Sequence, residues 1–389
     1  MLKKLLYIIV YLLLAYSLFY SFSVMSARAI DESVGGKNII WEILFDIVCM
    51  LFCVLARRKT VMSINGKWLV VFLVYILLIS IMQGYTIGFH KQSAILLYVQ
   101  PILLFFVEYY AQQDEMIRRI TPFVVKALAG WILFLFFDNY QMVRLANMQS
   151  YYTTNSSYYL LYFLPMFLLF LKEKYRRYIF LVVLVVVVLS SKRAGLLSLL
   201  LGFLSYSYAY SRVKKTKGFI RIAILSLILY YAFILINNYM GNIVIDRFET
   251  ISEDEGSGRM EIWTVVWSMI LESDFLHSLF GHGYSAVITD SGTGYSAHND
   301  YLEVLYDFGW VGLVLFIGVI VSWFVHAVKL MNLKLEIAPI LMMAVFVFIT
   351  SCIFSHIVIY TLNFNLFTLF FGAFIGIEKR AYIIQNRSL

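Results

Sequence analysis

Runs of about twenty consecutive apolar residues recur along almost the whole chain, and each is long enough to cross a hydrocarbon layer of about 30 Å. The runs are continuous, not alternating. That pattern suits membrane-crossing helices and excludes an outer-membrane barrel. Expected spans lie near residues 5–22, 39–56, 68–83, 93–109, 120–137, 153–171, 178–191, 194–210, 219–236, 309–327, 335–352 and 355–376, about twelve in all. Composition agrees: 62% of the residues are hydrophobic and only 14% charged, against about 45–50% and 25% in soluble domains.

The net charge of +8 reads as topology, not as nucleic-acid affinity. With the N-terminus inside, 22 of the 31 lysines and arginines fall on inner segments, which places both termini in the cytoplasm. Ala27-Arg28-Ala29 resembles a signal-peptidase site, but the run from Leu5 to Phe22 exceeds a signal core and is expected to remain as the first span. Glu42, Asp46 and Lys126 are ionisable groups on expected spans, and Lys126 is read as snorkelling inward. Cys49, Cys53 and Cys352 sit in expected spans and give neither a disulfide framework nor a thiolate metal site. No phosphate-binding loop is present.

The expected organisation is therefore residues 1–236 as spans one to nine, 237–308 as one large extracytoplasmic loop, and 309–389 as the last three spans. The loop is the polar exception. It holds twelve acids, two arginines (Arg247 and Arg259) and three of the six histidines. After the acidic turn Glu253 to Gly258, Arg259 opens a helical pattern. Met260, Trp263, Trp267 and Ile270 fall at helical spacing and are expected to form an apolar stripe on the outer bilayer surface. Further on, a helix is expected to begin between Ser296 and Asp300, with His298 at its mouth and Asp300, Glu303 and Asp307 along one face. Between spans seven and eight the turn Ser190 to Gly195 puts Lys192 and Arg193 on the outer face, where the charge rule disfavours them.

A cation at a helix start is electrostatically misplaced unless an anion joins it, and free N–H groups there make a ready anion site. Each residue alone has a structural reading: Arg259 pairs with Glu255 or Glu261, and His298 caps a helix. Together they suit an anionic lipid whose reactive carbon lies at the membrane surface, such as a polyprenyl-diphosphate sugar. Arginine forks match phosphate oxygens, and a histidine serves as base toward an attacking hydroxyl. His282, Asp290, His298, Asp300 and Glu303 include groups able to ligate metal, but they lack tight ligand spacing, and no metal or other cofactor is expected.

These residues are where the chain resembles the O-antigen ligase and O-antigen/capsule polymerase superfamily of bacterial membrane proteins. The similar segments are SSKRAG (190–195), DRFETI (246–251), GRMEIW (258–263), LFGHGYS (279–285) and HNDYLEVLYDFGWVGLVLF (298–316). The resemblance implies an all-α, GT-C-like fold in the bacterial plasma membrane and inverting, metal-independent glycosyl transfer from undecaprenyl diphosphate on the outer face. It implies that Arg193 and Arg259 bind diphosphate, that His298 serves the acceptor, and that Arg247 supports them; Lys192, Asn299, Asp300 and Glu303 beside them are expected to contact substrate. The implied partners are an undecaprenyl-diphosphate-linked oligosaccharide, a glycan acceptor, the bilayer, a flippase and a chain-length regulator, with no nucleic acid. A polymerase of O-antigen, capsule or exopolysaccharide repeat units is the favoured reading, because the outer loop is compact. A ligase using the same site and a flippase of lipid-linked sugars are the alternatives.

Overall fold

The computed structural model of the chain describes residues 63–83, 104, 107–108, 111–112, 114–146, 156–215, parts of 227–246, 258–358 except 293, and 361–387. The expected spans at 5–22 and 39–56, most of those at 93–109 and 219–236, and Glu42, Asp46 and Arg247 lie outside the described residues.

Among the described residues the regular structure is helical. It begins with α1 (Ile64–Met82), α2 (Asp114–Ala146), α3 (Ser156–Phe170), α4 (Glu173–Leu189) and α5 (Arg193–Lys214). The segment expected outside the membrane forms α6 (Arg259–Glu272), α7 (Phe275–Phe280) and α8 (Ala286–Asp290). It is followed by α9 (Asp300–Asn332), α10 (Ala338–Phe354) and α11 (Thr361–Arg387). Helix α1, residues 121–141 of α2, and α9 are long and apolar enough to cross a membrane, and part of α3 and all of α10 are shorter apolar helices. The chain is a membrane protein built from helices, which satisfy their own backbone groups where no water can.

Helix α10 is the centre of the bundle, with buried residues on nearly every side. It packs most extensively on α5 and also touches α3 and α9. Gly195, Ser198, Gly202, Ser205 and Ala209 of α5 are all buried and recur every three or four residues. Small residues at that spacing let two backbones approach closely. At Gly202 a Cβ would stand 2.8 Å from Val347 of α10.

Helix α9 bends at Gly309, whose φ of 65° and ψ of −173° interrupt the helix. Helix α7 lies against that bend: a Cβ on Gly309 would meet the Leu279 backbone at 2.4 Å. The Tyr75 hydroxyl of α1 donates to Phe308 O at 2.8 Å and reaches Phe280 O at 3.2 Å, and Gln83 Nε2 donates to Gly281 O at 2.9 Å. The interrupted helix thus keeps its freed carbonyl satisfied. Toward the other ends of α9 and α11, His326 Nε2 and Glu378 Oε2 are 2.6 Å apart, and Lys379 pairs with the buried Glu108.

The stripe expected on α6 turns out rotated. Trp263 and Ile270 face inward: Trp263 Nε1 donates to Ala297 O at 2.8 Å, and Ile270 packs on a small core of Val266, Ala286, Val287, Ala297 and Tyr306. At about 100° per residue the exposed apolar face is instead Met260, Trp267 and Leu271. Arg259 falls on the inward side, in line with Val266 and Ile270.

Candidate anion and glycan site

Five helix ends gather at one end of the bundle. The first turn of α5 rests on the first turn of α3, since a Cβ on Gly195 would stand 2.6 Å from Ser157 Oγ. The Tyr158 hydroxyl, one residue on, faces Phe354 O at the end of α10, 3.4 Å away, and takes a hydrogen bond from the Arg259 guanidinium at the start of α6. The start of α9 completes the group through His298, on which the charges of both Arg259 and Lys192 act.

Each functional side chain is held by specific neighbours. Lys192 is the N-cap of α5 and Arg193 its first residue, both half-buried, after Ser191 in a left-handed turn (φ 53°). Arg259 opens α6 after Gly258, also left-handed at φ 74°. Two helix starts therefore carry cations, the reverse of what the helix dipole favours. His298 precedes the α9 N-cap and has φ 50°, unusual for a residue with a side chain. Its neighbour Ala297 is clamped on both sides: Glu303 Oε2 accepts from its N–H at 2.6 Å, and Trp263 Nε1 donates to its carbonyl. Asn299 Oδ1 accepts from the N–H groups of Tyr301 and Leu302 at 3.0 and 3.3 Å, capping α9.

The acids on α9 point into the protein. Asp300, Glu303 and Asp307 are buried, each against a different loop. Asp300 accepts from Ile357 N and Val358 N at 2.8 and 3.2 Å, and Asp307 from Ser285 N and Val287 N at 2.7 and 3.0 Å. The expectation that Asn299, Asp300 and Glu303 touch substrate meets a different geometry: all three hold backbone N–H groups of their own chain. Two of the loops so held carry the site's histidines.

The second histidine is His356, in the turn between α10 and α11. Its ring lies 4.6 Å from that of His298, centroid to centroid, tilted by 33°, and its Nδ1 is 3.0 Å from Ser296 Oγ. Burial pushes the His298 pKa down to about 4, helped by the nearby Arg259 and Lys192 charges. Burial takes His356 to about 3, with His298 and Arg259 adding to the effect. Both imidazoles are neutral near pH 7 and keep a lone pair for a proton or a hydrogen bond.

The site thus brings together Arg259, Lys192 and His298 among the residues expected from sequence. Arg193 adjoins Lys192 on α5, and Arg247 is outside the described residues. His282 and Asp290 are elsewhere: His282 Nε2 is 2.9 Å from Ser273 Oγ, with its ring stacked between His277 and Tyr306, and Asp290 Oδ2 accepts from the Tyr306 hydroxyl at 3.0 Å. Sequence reasoning missed His356, Tyr158 and Ser296. The signal for His356 was the polar pair Ser355-His356 between the last two apolar runs, which the expected span 355–376 absorbed.

No curated protein matches the chain. Residues 178–317, from α4 to the middle of α9, match a family model described as O-Antigen ligase, and the stretch includes Lys192, Arg193, Arg259 and His298. The match covers a little over a third of the chain, and over that stretch it supports the resemblance to the O-antigen ligase and polymerase superfamily.

Proposed function

We propose that the protein is a glycosyltransferase that joins polyprenyl-diphosphate-linked repeat units into polysaccharide on the outer face of the membrane. The observation that carries this reading is the meeting of Arg259, Lys192 and neutral His298 at the starts of three helices. Backbone N–H groups and cations there attract a diphosphate, and the imidazole accepts a proton.

In the proposed reaction the acceptor sugar hydroxyl attacks the anomeric carbon of the donor from the side opposite the diphosphate. The new C–O bond forms as the bond to phosphate oxygen breaks, and the electron pair leaves with the diphosphate. Arg259, Lys192 and Arg193 neutralise that leaving group. The hydroxyl proton passes to His298. Configuration at the anomeric carbon inverts.

The electrostatics couple the two halves of the site. The cations that depress the His298 pKa are those a diphosphate would neutralise. Donor binding therefore raises the basicity of His298 at the moment it is needed. Asn299, Asp300 and Glu303 serve as positioning residues, and His356 braces the His298 ring.

Purified protein in liposomes, supplied with a lipid-linked repeat unit, tests the reading. A ladder of chain lengths that disappears in Arg259→Ala and His298→Ala supports the polymerase. Attachment of one glycan to a non-glycan acceptor, with no ladder, identifies a ligase working through the same site. Equal product from wild type and both variants overturns the site.

A further inference from the structure

We infer that α7 and the exposed stripe of α6 are immersed in the lipid leaflet on the site's side of the membrane, with apolar lipid chains as their partner. This does not depend on the glycosyl-transfer reading.

The argument is one of depth. Helix α1 has 19 residues, about 28 Å at 1.5 Å per residue, which matches the hydrocarbon thickness. Beyond Lys67 in the first turn, its exposed side chains are apolar: Val71, Val74, Leu78, Ile81 and Met82. Helix α9 runs antiparallel beside it, since a Cβ on Gly318 would meet Trp68 at 2.7 Å and one on Gly312 would meet Tyr75 at 3.2 Å. Continuing that register puts Gly309 level with about Leu78. The Leu279 backbone presses on Gly309, and Tyr75 and Gln83 reach Phe280 and Gly281. Helix α7 therefore lies beside the last turns of α1, with Ile81 and Met82 at its own level or beyond it.

The side chains at that level fit lipid. Phe275 is 78% exposed, Leu276 64% and Leu271 69%, beside the exposed Trp267 and Phe280. On α9 the surface continues as exposed Trp310, Val314 and Ile317. The inward faces of α6 and α7 already have partners: Val266 is buried in the small core, and the bend of α9 covers Leu279. Among the described residues, packing therefore leaves the outward face uncovered. An apolar surface of this kind, continuous with spanning helices and edged by the exposed Glu261, Glu272 and Asp274, suits the boundary between acyl chains and headgroups. Immersion there holds Arg259, on the inward side of the same helix, at headgroup-phosphate depth.

Depth-dependent quenching tests this. Leu271→Cys, Phe275→Cys and Leu276→Cys are made separately with Cys49 and Cys53 replaced by alanine; Cys352 is buried and stays. Each is labelled with a small fluorophore in liposomes containing brominated lipid. Ile81→Cys is the lipid reference and Asp290→Cys the water reference. We expect quenching at the three positions to match Ile81→Cys and to exceed Asp290→Cys by about twofold. Quenching at the level of Asp290→Cys, with ready labelling by a membrane-impermeant reagent, overturns the inference. Protection from both lipid quencher and aqueous reagent also overturns it, and assigns the face to a second protein surface.

Discussion

His298 and His356 are neutral because they are buried beside cations, and that makes them sensitive to acid. Their folded pKa values, about 4 and about 3, lie below the ordinary value of 6.5. A group depressed in this way favours folding above the unfolded pKa, and its contribution is lost as pH falls toward the folded one. Stability should therefore decline below about pH 6.5. For His356 the loss amounts to about 3 kcal/mol near pH 4.5. Melting temperature followed from pH 7 to 4.5 in detergent checks this, and His356→Asn should flatten the curve. An unchanged slope in that variant would mean His356 is not held neutral. Arg259→Ala should lower transfer by about 10²–10³-fold, the usual cost of losing one charge-stabilising group from a dry site. Arg259→Lys should restore only part, because the ammonium lacks the fork. Tyr158→Phe, which takes away an oxygen that Arg259 bonds, should have a smaller effect of the same sign.

Helix α9 positions the site through its acids, and here the sequence was informative in spacing but not in direction. Asp300, Glu303 and Asp307 at i, i+3 and i+7 read as one helix face, which they are. A row of acids in a loop ordinarily faces water, yet this row faces three backbone loops, one just before the helix and two distant in sequence. No local signal reports that. Asp300→Ala should leave two buried N–H groups without acceptors, at about 1–3 kcal/mol each. Loss of melting temperature together with loss of transfer is expected, with Asp300→Asn milder in both. The phase of α6 was misread for a similar reason. Tryptophan suits a membrane interface as well as a protein core, and the carbonyl that claims Trp263 lies 34 residues away. The contact between α7 and the α9 bend depends on glycine at both Gly281 and Gly309. Each has positive φ and a neighbouring backbone within 2.4 Å of where a Cβ would sit. Alanine at either should cost about 1–3 kcal/mol in backbone strain, with the clash adding to it, seen as a lower melting temperature.

For the whole molecule, the apolar runs made the helical membrane class legible, because a continuous apolar stretch has few other stable outcomes. The start of α6 was legible from Gly258-Arg259. Assembly of the site was legible only as a suspicion, raised by misplaced cations at 192, 193 and 259. What joins them is helix packing: the small-residue face of α5 against α10, and Gly195 against Ser157. Gly195→Val should force the first turns of α5 and α3 apart, and transfer should fall while the protein still reaches the membrane in normal amount. The central claim is that one anion and glycan site is assembled from the starts of α5, α6 and α9. The most direct test is the transfer rate of purified, reconstituted protein with a defined polyprenyl-diphosphate glycan, comparing Lys192→Ala, Arg259→Ala and His298→Ala singly and in pairs. Residues acting on one transition state lose activity non-additively, so the account expects each pair to be scarcely worse than its worse single variant. Losses that multiply independently, or variants as active as the wild type, would contradict it.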